Sequence, residues 1–233
     1  MHQYEGMMKL TKQDYYKLRA QNYPIDDREA LFRYRRLLGW FQLKDEVSII
    51  EVGCKFAVLR DMLKNLYQKI DYRGIDIDLE TLKKIEGYNS ETFLEHDVNQ
   101  GIPFEDASAD YLVCLEVLEH LENATAFLSE AFRVLKPGGR LFLSVPNPYS
   151  WNELIVNAFK MKDTEGHIAS FTQQNIDALT TFAGLKVMQV RGGFFRIPFS
   201  NKIFGKPWIL PSNQMFLTRY YMYEIGRESE LEG

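Results

Sequence analysis

The stretch VSIIEVGCKFAVLRDMLKNLY at 47–67, followed by YRGIDIDLETLKKIEG at 72–87, decides the fold. In each half a short run rich in Val and Ile ends in a turn and passes into a segment with helical apolar spacing. This is the pattern of crossover units around a parallel sheet. Working outward, TFLEH at 92–96, DYLVCL at 110–115 and RLFLSV at 140–145 continue the strand series. NATAFLSEAFRVLK at 123–136 predicts the helix before the last of these, stopped by Pro137-Gly138-Gly139. The end of the chain differs. GLKVMQVR at 184–191 and QMFLTRYYMYEI at 214–225 read as two strands with no helix between them, so an antiparallel pair at one sheet edge is expected. Upstream, residues 10–41 read as two helices separated by Pro24, the second with Leu31, Tyr34, Leu37 and Leu38 at apolar positions. The expectation is an α/β fold with helices on both faces of the sheet. It forms a single domain, 1–233, made of a helical leader (1–43), a core (44–191), an aromatic insertion (192–213) and a last strand (214–225).

Composition narrows the partners. With 233 residues and a net charge of −4, the chain offers no broad basic field, which disfavours general nucleic-acid binding and fits a small acceptor. Its two cysteines, Cys54 and Cys114, have no ligand-like spacing, so neither a zinc site nor a disulfide framework is expected, and no metal is. No run reaches the ~20 apolar residues of a membrane span, and the amino terminus is not a signal segment. A reducing, cytoplasmic setting follows as an expectation.

In an open parallel sheet, ligands bind beyond the carboxyl ends of the strands, so residues there share one site. At the first end, Glu51-Val52-Gly53-Cys54-Lys55-Phe56-Ala57 offers a glycine turn and unpaired N–H groups at a helix start. At the second, Asp76 is placed to accept from the ribose hydroxyls of an adenosine cofactor, while Asp78 caps the helix that begins at Leu79. At the third, Asp97 is either a reader of adenine's amino group, with the Val98 N–H beside it, or a turn-forming residue. At the fourth, Cys114 leads towards Glu119-His120, and His120 reads as a base, a cap or a structural residue.

Several segments add a resemblance: Pro103-Phe104, Ala109-Asp110, Val117-Leu118-Glu119-His120-Leu121, Arg133-Val134-Leu135-Lys136-Pro137-Gly138-Gly139-Arg140 and Ser144-Val145-Pro146-Asn147. In order and spacing they resemble the signature of small class I S-adenosylmethionine (SAM) dependent methyltransferases of the ubiquinone and sugar type. RVLKPGGR is the most specific part, and His167-Ile168 with Phe171-Thr172 extends the likeness. The resemblance implies a Rossmann-like seven-stranded sheet in order 3-2-1-4-5-7-6 with its last strand antiparallel. It also implies SAM as cofactor and S-adenosylhomocysteine as product. By position Glu51, Gly53, Cys54 and Lys55 would line the methionine side, Asp76 and Ile77 the ribose and adenine, Asp97 and Val98 the adenine edge, and Cys114 the methionine amino group.

The loop after the first strand departs from the family's Gly-x-Gly-x-Gly, because Lys55 and Ala57 stand at its second and third glycines. A positive φ at Lys55 would cost about 1 kcal/mol, and its cation would repel a sulfonium unless it swings aside. Two readings therefore stand at this point. One is a methyltransferase acting on a small molecule such as a sugar or lipid-linked glycan; the other is a non-catalytic methyltransferase-like binding or regulatory protein. On the acceptor side His167 is the first candidate base, with His120 the second. Tyr15, Tyr16, Arg19 and Tyr23 of the leader would shape the acceptor pocket, as would Phe194, Phe195, Phe199, Phe204 and Trp208 of the insertion. The insertion's residues 192–211 either fold onto the core or meet a membrane surface or partner. Asn147-Pro148-Tyr149 reads as a turn.

Overall fold

The computed structural model describes residues 28–41, 46–67, 69–159, 166–197, 208–212 and 218–227. Along the chain these form α1 (Arg28–Leu38), β1 (Val47–Val52), α2 (Val58–Lys64), β2 (Ile70–Asp76), α3 (Leu79–Leu82), β3 (Phe93–Glu95), β4 (Ala109–Leu115) and α4 (Ala124–Val134). They continue with β5 (Leu135–Pro146), α5 (Trp151–Ala158), α6 (Gln173–Phe182), β6 (Leu185–Gly192), β7 (Phe194–Arg196), β8 (Ile209–Pro211) and β9 (Tyr220–Arg227). Of the leader's two expected helices, the second is α1; the first, with Tyr15, Tyr16, Arg19 and Tyr23, lies outside the described residues.

The main sheet runs β3-β2-β1-β4-β5-β9-β6. Its first five strands are parallel, and β9 is antiparallel to both β5 and β6. With the short β7–β8 pair set aside as part of the insertion, this is the expected seven-stranded order. The last strand starts at Tyr220, later than the expected 214. Strand alternation divides the core in two. Ile50, Val52, Leu112, Leu141 and Leu143 face α4 and α6, while Ile49, Val113, Phe142 and Met222 face α1, α2 and α3. On the second face Leu37, Trp40 and Phe41 close over the sheet, with Phe41 edge-on to both Tyr111 and Phe142.

One boundary differs from expectation. The helix expected to run to residue 136 stops at Val134, and β5 has already begun when Pro137 arrives. A residue before proline is pushed out of the helical region, so Lys136 cannot extend the helix. Residues 136–139 then bulge opposite Asp110 alone, because Ala109 pairs with Leu135 and Tyr111 with Arg140. Gly138 makes the bend at φ 79°. The bulge brings Lys136 Nζ to 2.7 Å from Asp110, whose carboxylate also accepts from the Ser48 N–H and hydroxyl at 2.8 and 2.9 Å. Asp110→Asn should therefore lower unfolding free energy by about 1 kcal/mol in urea melts, through a weaker tie between the starts of β1, β4 and β5.

The insertion folds back on the α1 face. β7 pairs with β8, Gly193 N–H donates to the Tyr220 carbonyl, and Phe194 packs edge-on against Phe32 and Tyr220. Arg36 donates to the Gly192 carbonyl at 3.1 Å, and Arg196 pairs with Glu29 at 3.4 Å, so α1 and the insertion hold each other. Phe195 is half-buried and Trp208 is exposed, while Phe199 and Phe204 lie outside the described residues.

Candidate cofactor and acceptor site

At the end of β1 the chain alternates hands. Gly53, Lys55 and Ala57 have φ of 75°, 37° and 54°, so every second residue is left-handed although only one is glycine. Each non-glycine residue there costs about 1–2 kcal/mol, and the surroundings must hold it. They do so through β2. The N–H groups of Gly53 and Cys54 donate to the Ile75 carbonyl at 2.8 and 3.1 Å, and the Lys55 N–H donates to Asp76 Oδ2 at 2.9 Å. Asp76 Oδ1 accepts from the Asp78 N–H at 3.0 Å. Gly53 is required for a second reason, since a Cβ there would stand 2.5 Å from Val117 Cγ2.

Asp76 thus has one oxygen on each of two backbone donors, and a carboxylate keeps further lone-pair directions for ligand hydroxyls. Burial raises its pKa, opposed by those two N–H groups and the Lys55 cation, with a net upward shift. Lys55 is affected in the opposite sense: burial lowers its pKa and outweighs the raising influence of Asp76 and Asp78, and its Nζ lies 5.4 Å from the centroid of the Phe56 ring. Asp78 accepts from the Thr81 N–H and hydroxyl at 3.3 and 2.6 Å and caps α3, as expected. Ile77 is half-buried beside it. At the end of β3, Asp97 accepts from the Asn99 N–H and side-chain amide at 3.0 and 2.8 Å and caps the short turn Val98–Gln100. It is a turn residue positioned at the same rim, with Val98 buried behind it.

At the end of β4, Cys114 pairs in register with Val52 and Leu143, Leu115 pairs with Ser144, and Glu116 follows beyond the strand. Glu116 is left-handed at φ 55°, and its N–H donates to the Ser144 carbonyl at 3.1 Å. Its Oε1 accepts from the Ser144 hydroxyl at 2.7 Å, and its Oε2 lies 4.0 Å from Arg33 of α1. Glu51, 1% exposed, turns towards α1 and accepts from Tyr34 at 2.7 Å and from Tyr72 through a short bond. Burial is the largest influence on its carboxyl; the two hydroxyls oppose it, Asp76 reinforces it, and the pKa is pushed up to about 7. Cys54 is buried on the same face. The contact of Arg33 with Glu116 was not legible in the sequence, and Tyr34 read as an apolar helix position.

Beyond β4, His120 and His167, 47 positions apart in sequence, are brought together with ring centroids 5.1 Å apart. The Ile168 and Ala169 N–H groups donate to the Glu119 carbonyl at 3.0 and 3.1 Å, which fixes the second histidine's segment against the first. Glu119 lies 1% exposed in the same cluster. Asn147-Pro148-Tyr149 is a turn: the buried Asn147 accepts from the Tyr149 N–H and donates to the Thr218 carbonyl. Among the described residues no helix is long and apolar enough to cross a membrane.

The left-handed loop, Asp76 at its foot and Asp97 at the next strand end fit an adenosine-bearing cofactor. Comparison with known proteins agrees. A family profile described as a methyltransferase domain matches residues 20–190. A Mycolicibacterium smegmatis protein named for S-adenosylmethionine-dependent methyl transfer is 28% identical over 180 residues, covering 76% of this chain and 65% of its own. The ubiquinone biosynthesis O-methyltransferase of Xanthomonas oryzae pv. oryzae is 30% identical over 105 residues, covering 42% of this chain and 43% of its own. The chain thus spans less than two thirds of the length of either relative. Among solved structures, the Haloferax volcanii complex of the Trm112 methyltransferase activator with a methyltransferase superposes with TM-score 0.69 at 16% identity, covering 95% of this chain and 99% of that one. A Thermotoga maritima SAM-dependent methyltransferase gives 0.63 at 13% identity, with 97% and 98% covered. Fold, strand-end residues and the match over residues 20–190 converge: the chain belongs to the class I S-adenosylmethionine-dependent methyltransferases.

Proposed function

We propose that this chain moves a methyl group from SAM to a small-molecule acceptor. The observation that carries this reading is the loop at Gly53, Lys55 and Ala57, whose backbone keeps the left-handed alternation and is tied to Asp76 despite two side chains where glycines are usual in the family. Bound SAM supplies a methyl group already activated by its sulfonium. The protein's part is to hold and align. Asp76 accepts from the ribose hydroxyls, Ile77 packs on the adenine, and Asp97 with the Val98 N–H reads the adenine edge. Glu116, held by Ser144, faces the cofactor's amino-acid end. On the acceptor side His167, with His120 beside it, takes the proton of a hydroxyl acceptor. A sugar or lipid-linked glycan suits the neutral, hydroxyl-rich chemistry this arrangement serves. The X. oryzae relative is named an O-methyltransferase of ubiquinone biosynthesis, which points to another kind of oxygen acceptor.

Isothermal titration with SAM and with S-adenosylhomocysteine tests the reading. Binding of both is expected, and absence of binding at millimolar concentration overturns it in favour of a non-catalytic protein. Lys55→Gly should tighten both ligands, and SAM more than its neutral product by roughly threefold to tenfold, because only SAM's sulfonium is repelled by the lysine cation. Equal gains would show that Lys55 obstructs by bulk alone.

A further inference from the structure

We infer that Glu51 is a positioning residue for the cofactor's amino-acid end. By holding the Tyr34 hydroxyl it sets the register of α1, so that Arg33, the residue before Tyr34, stands beside Glu116 at the rim. The inference rests on the methyl-transfer reading, which places the amino-acid end at Glu116. Glu51 then acts through another side chain and not by contact.

The geometry links two neighbouring strand ends through one helix. β1 and β4 are paired, with Val52 opposite Cys114, so Glu51 and Glu116 belong to adjacent strand ends. Arg33 and Tyr34 are consecutive on α1 and reach one carboxylate each: the Tyr34 hydroxyl donates to Glu51 Oε1 at 2.7 Å, and Arg33 Nη1 lies 4.0 Å from Glu116 Oε2. A turn or slide of α1 that shifts one of these side chains therefore shifts the other. From the sheet side, Tyr72 of β2 donates to Glu51 Oε2 through a short bond, which fixes the direction of the carboxyl independently of α1.

Burying a carboxyl is costly, and Glu51 is 1% exposed. A leucine would fill the same place with no polar group to desolvate. What the carboxyl adds is direction: hydrogen bonds specify a register that apolar packing alone would leave looser. Arg33 is itself buried, with its guanidinium carbon 5.6 Å from the centroid of the Tyr220 ring, so its place follows the helix. Elsewhere α1 is tied to the insertion by Arg36 on the Gly192 carbonyl and by Glu29 with Arg196. Cutting the Tyr34 link should thus loosen the register of α1 without releasing the helix.

The test compares two ligands by calorimetry: S-adenosylhomocysteine, and 5′-methylthioadenosine, which carries the adenosine and the sulfur but no amino-acid end. Tyr34→Phe keeps the ring and removes the donor. It should weaken S-adenosylhomocysteine by about three- to tenfold and leave 5′-methylthioadenosine within about twofold of wild type. Glu51→Leu should match it, and Glu51→Gln, whose amide oxygen still accepts from Tyr34, should restore most of the affinity. The Tyr34→Phe/Glu51→Leu double variant should lose no more than either single change, because both cut the same link. Circular dichroism checks the fold; should Glu51→Leu fail to fold, Tyr34→Phe decides. Equal losses for both ligands would assign Glu51 and Tyr34 to general stability and overturn the inference, as would unchanged S-adenosylhomocysteine affinity in Tyr34→Phe. In both cases binding by wild type leaves the methyl-transfer reading standing. A wild-type chain that binds neither ligand overturns the two together.

Discussion

Asp76→Ala is expected to weaken S-adenosylhomocysteine binding by roughly 1–3 kcal/mol, a loss of about five- to 150-fold. Two causes act together. The ribose hydroxyls lose a charged acceptor, and the Lys55 and Asp78 N–H groups lose the oxygens that now hold them at 2.9 and 3.0 Å. Without that hold, Lys55 has less reason to stay at φ 37°, and the loop should relax away from the conformation the cofactor needs. Asp76→Asn, which keeps one acceptor oxygen, should fall between the two. Asp78→Ala serves as the control, since it removes the cap of α3 and should cost about 1 kcal/mol of stability while leaving affinity nearly unchanged. Calorimetry on the three variants decides the matter, and an unaltered dissociation constant in Asp76→Ala would take that residue out of the site.

Stability should also carry a pH signature from Glu51. Its carboxyl keeps its proton up to about pH 7 in the folded chain, whereas the unfolded chain releases it near the ordinary value of 4.5. Folding therefore takes up a proton across that interval. The contribution is whole below pH 4.5 and is lost as pH rises through about 7, amounting to roughly 3 kcal/mol. Other groups titrate too: the pKa of Glu130 is lowered, chiefly by its hydrogen bond from Arg133, and it gives stability that fades in acid. The clean observable is thus the difference between wild type and Glu51→Gln in urea melts from pH 4.5 to 8. That difference should change by about 3 kcal/mol in the direction of weaker wild type at high pH. A constant offset would show that Glu51 is ionised throughout.

Most of the framework was legible because it is written in short-range pattern. The run at 47–52 is a strand from Val47 to Val52, and Asp78 caps α3, since both depend on neighbours in sequence. The order of the strands came from the likeness of motifs and not from periodicity. What stayed hidden was juxtaposition. Tyr34 reads as one more apolar position of a helix until the fold lays its hydroxyl on Glu51, 17 residues away. His120 and His167 could each be suspected of chemistry, but nothing local to either says that they meet, or that Glu119 joins them. Phe194 could be read as folding onto the core or as a contact outside the molecule, and Phe32 and Tyr220 pack edge-on against it.

The loop after β1 has a wider implication. Its shape is imposed from β2 by the Ile75 carbonyl and the Asp76 carboxylate, so the identity of residue 55 is decoupled from the path of the main chain. Gly53 has no such liberty, with Val117 in the way. On the proposed reading, position 55 acts as a dial: one codon would raise or lower how long a cofactor stays, and how well the donor is told apart from its spent form, while the scaffold beneath it remains the same.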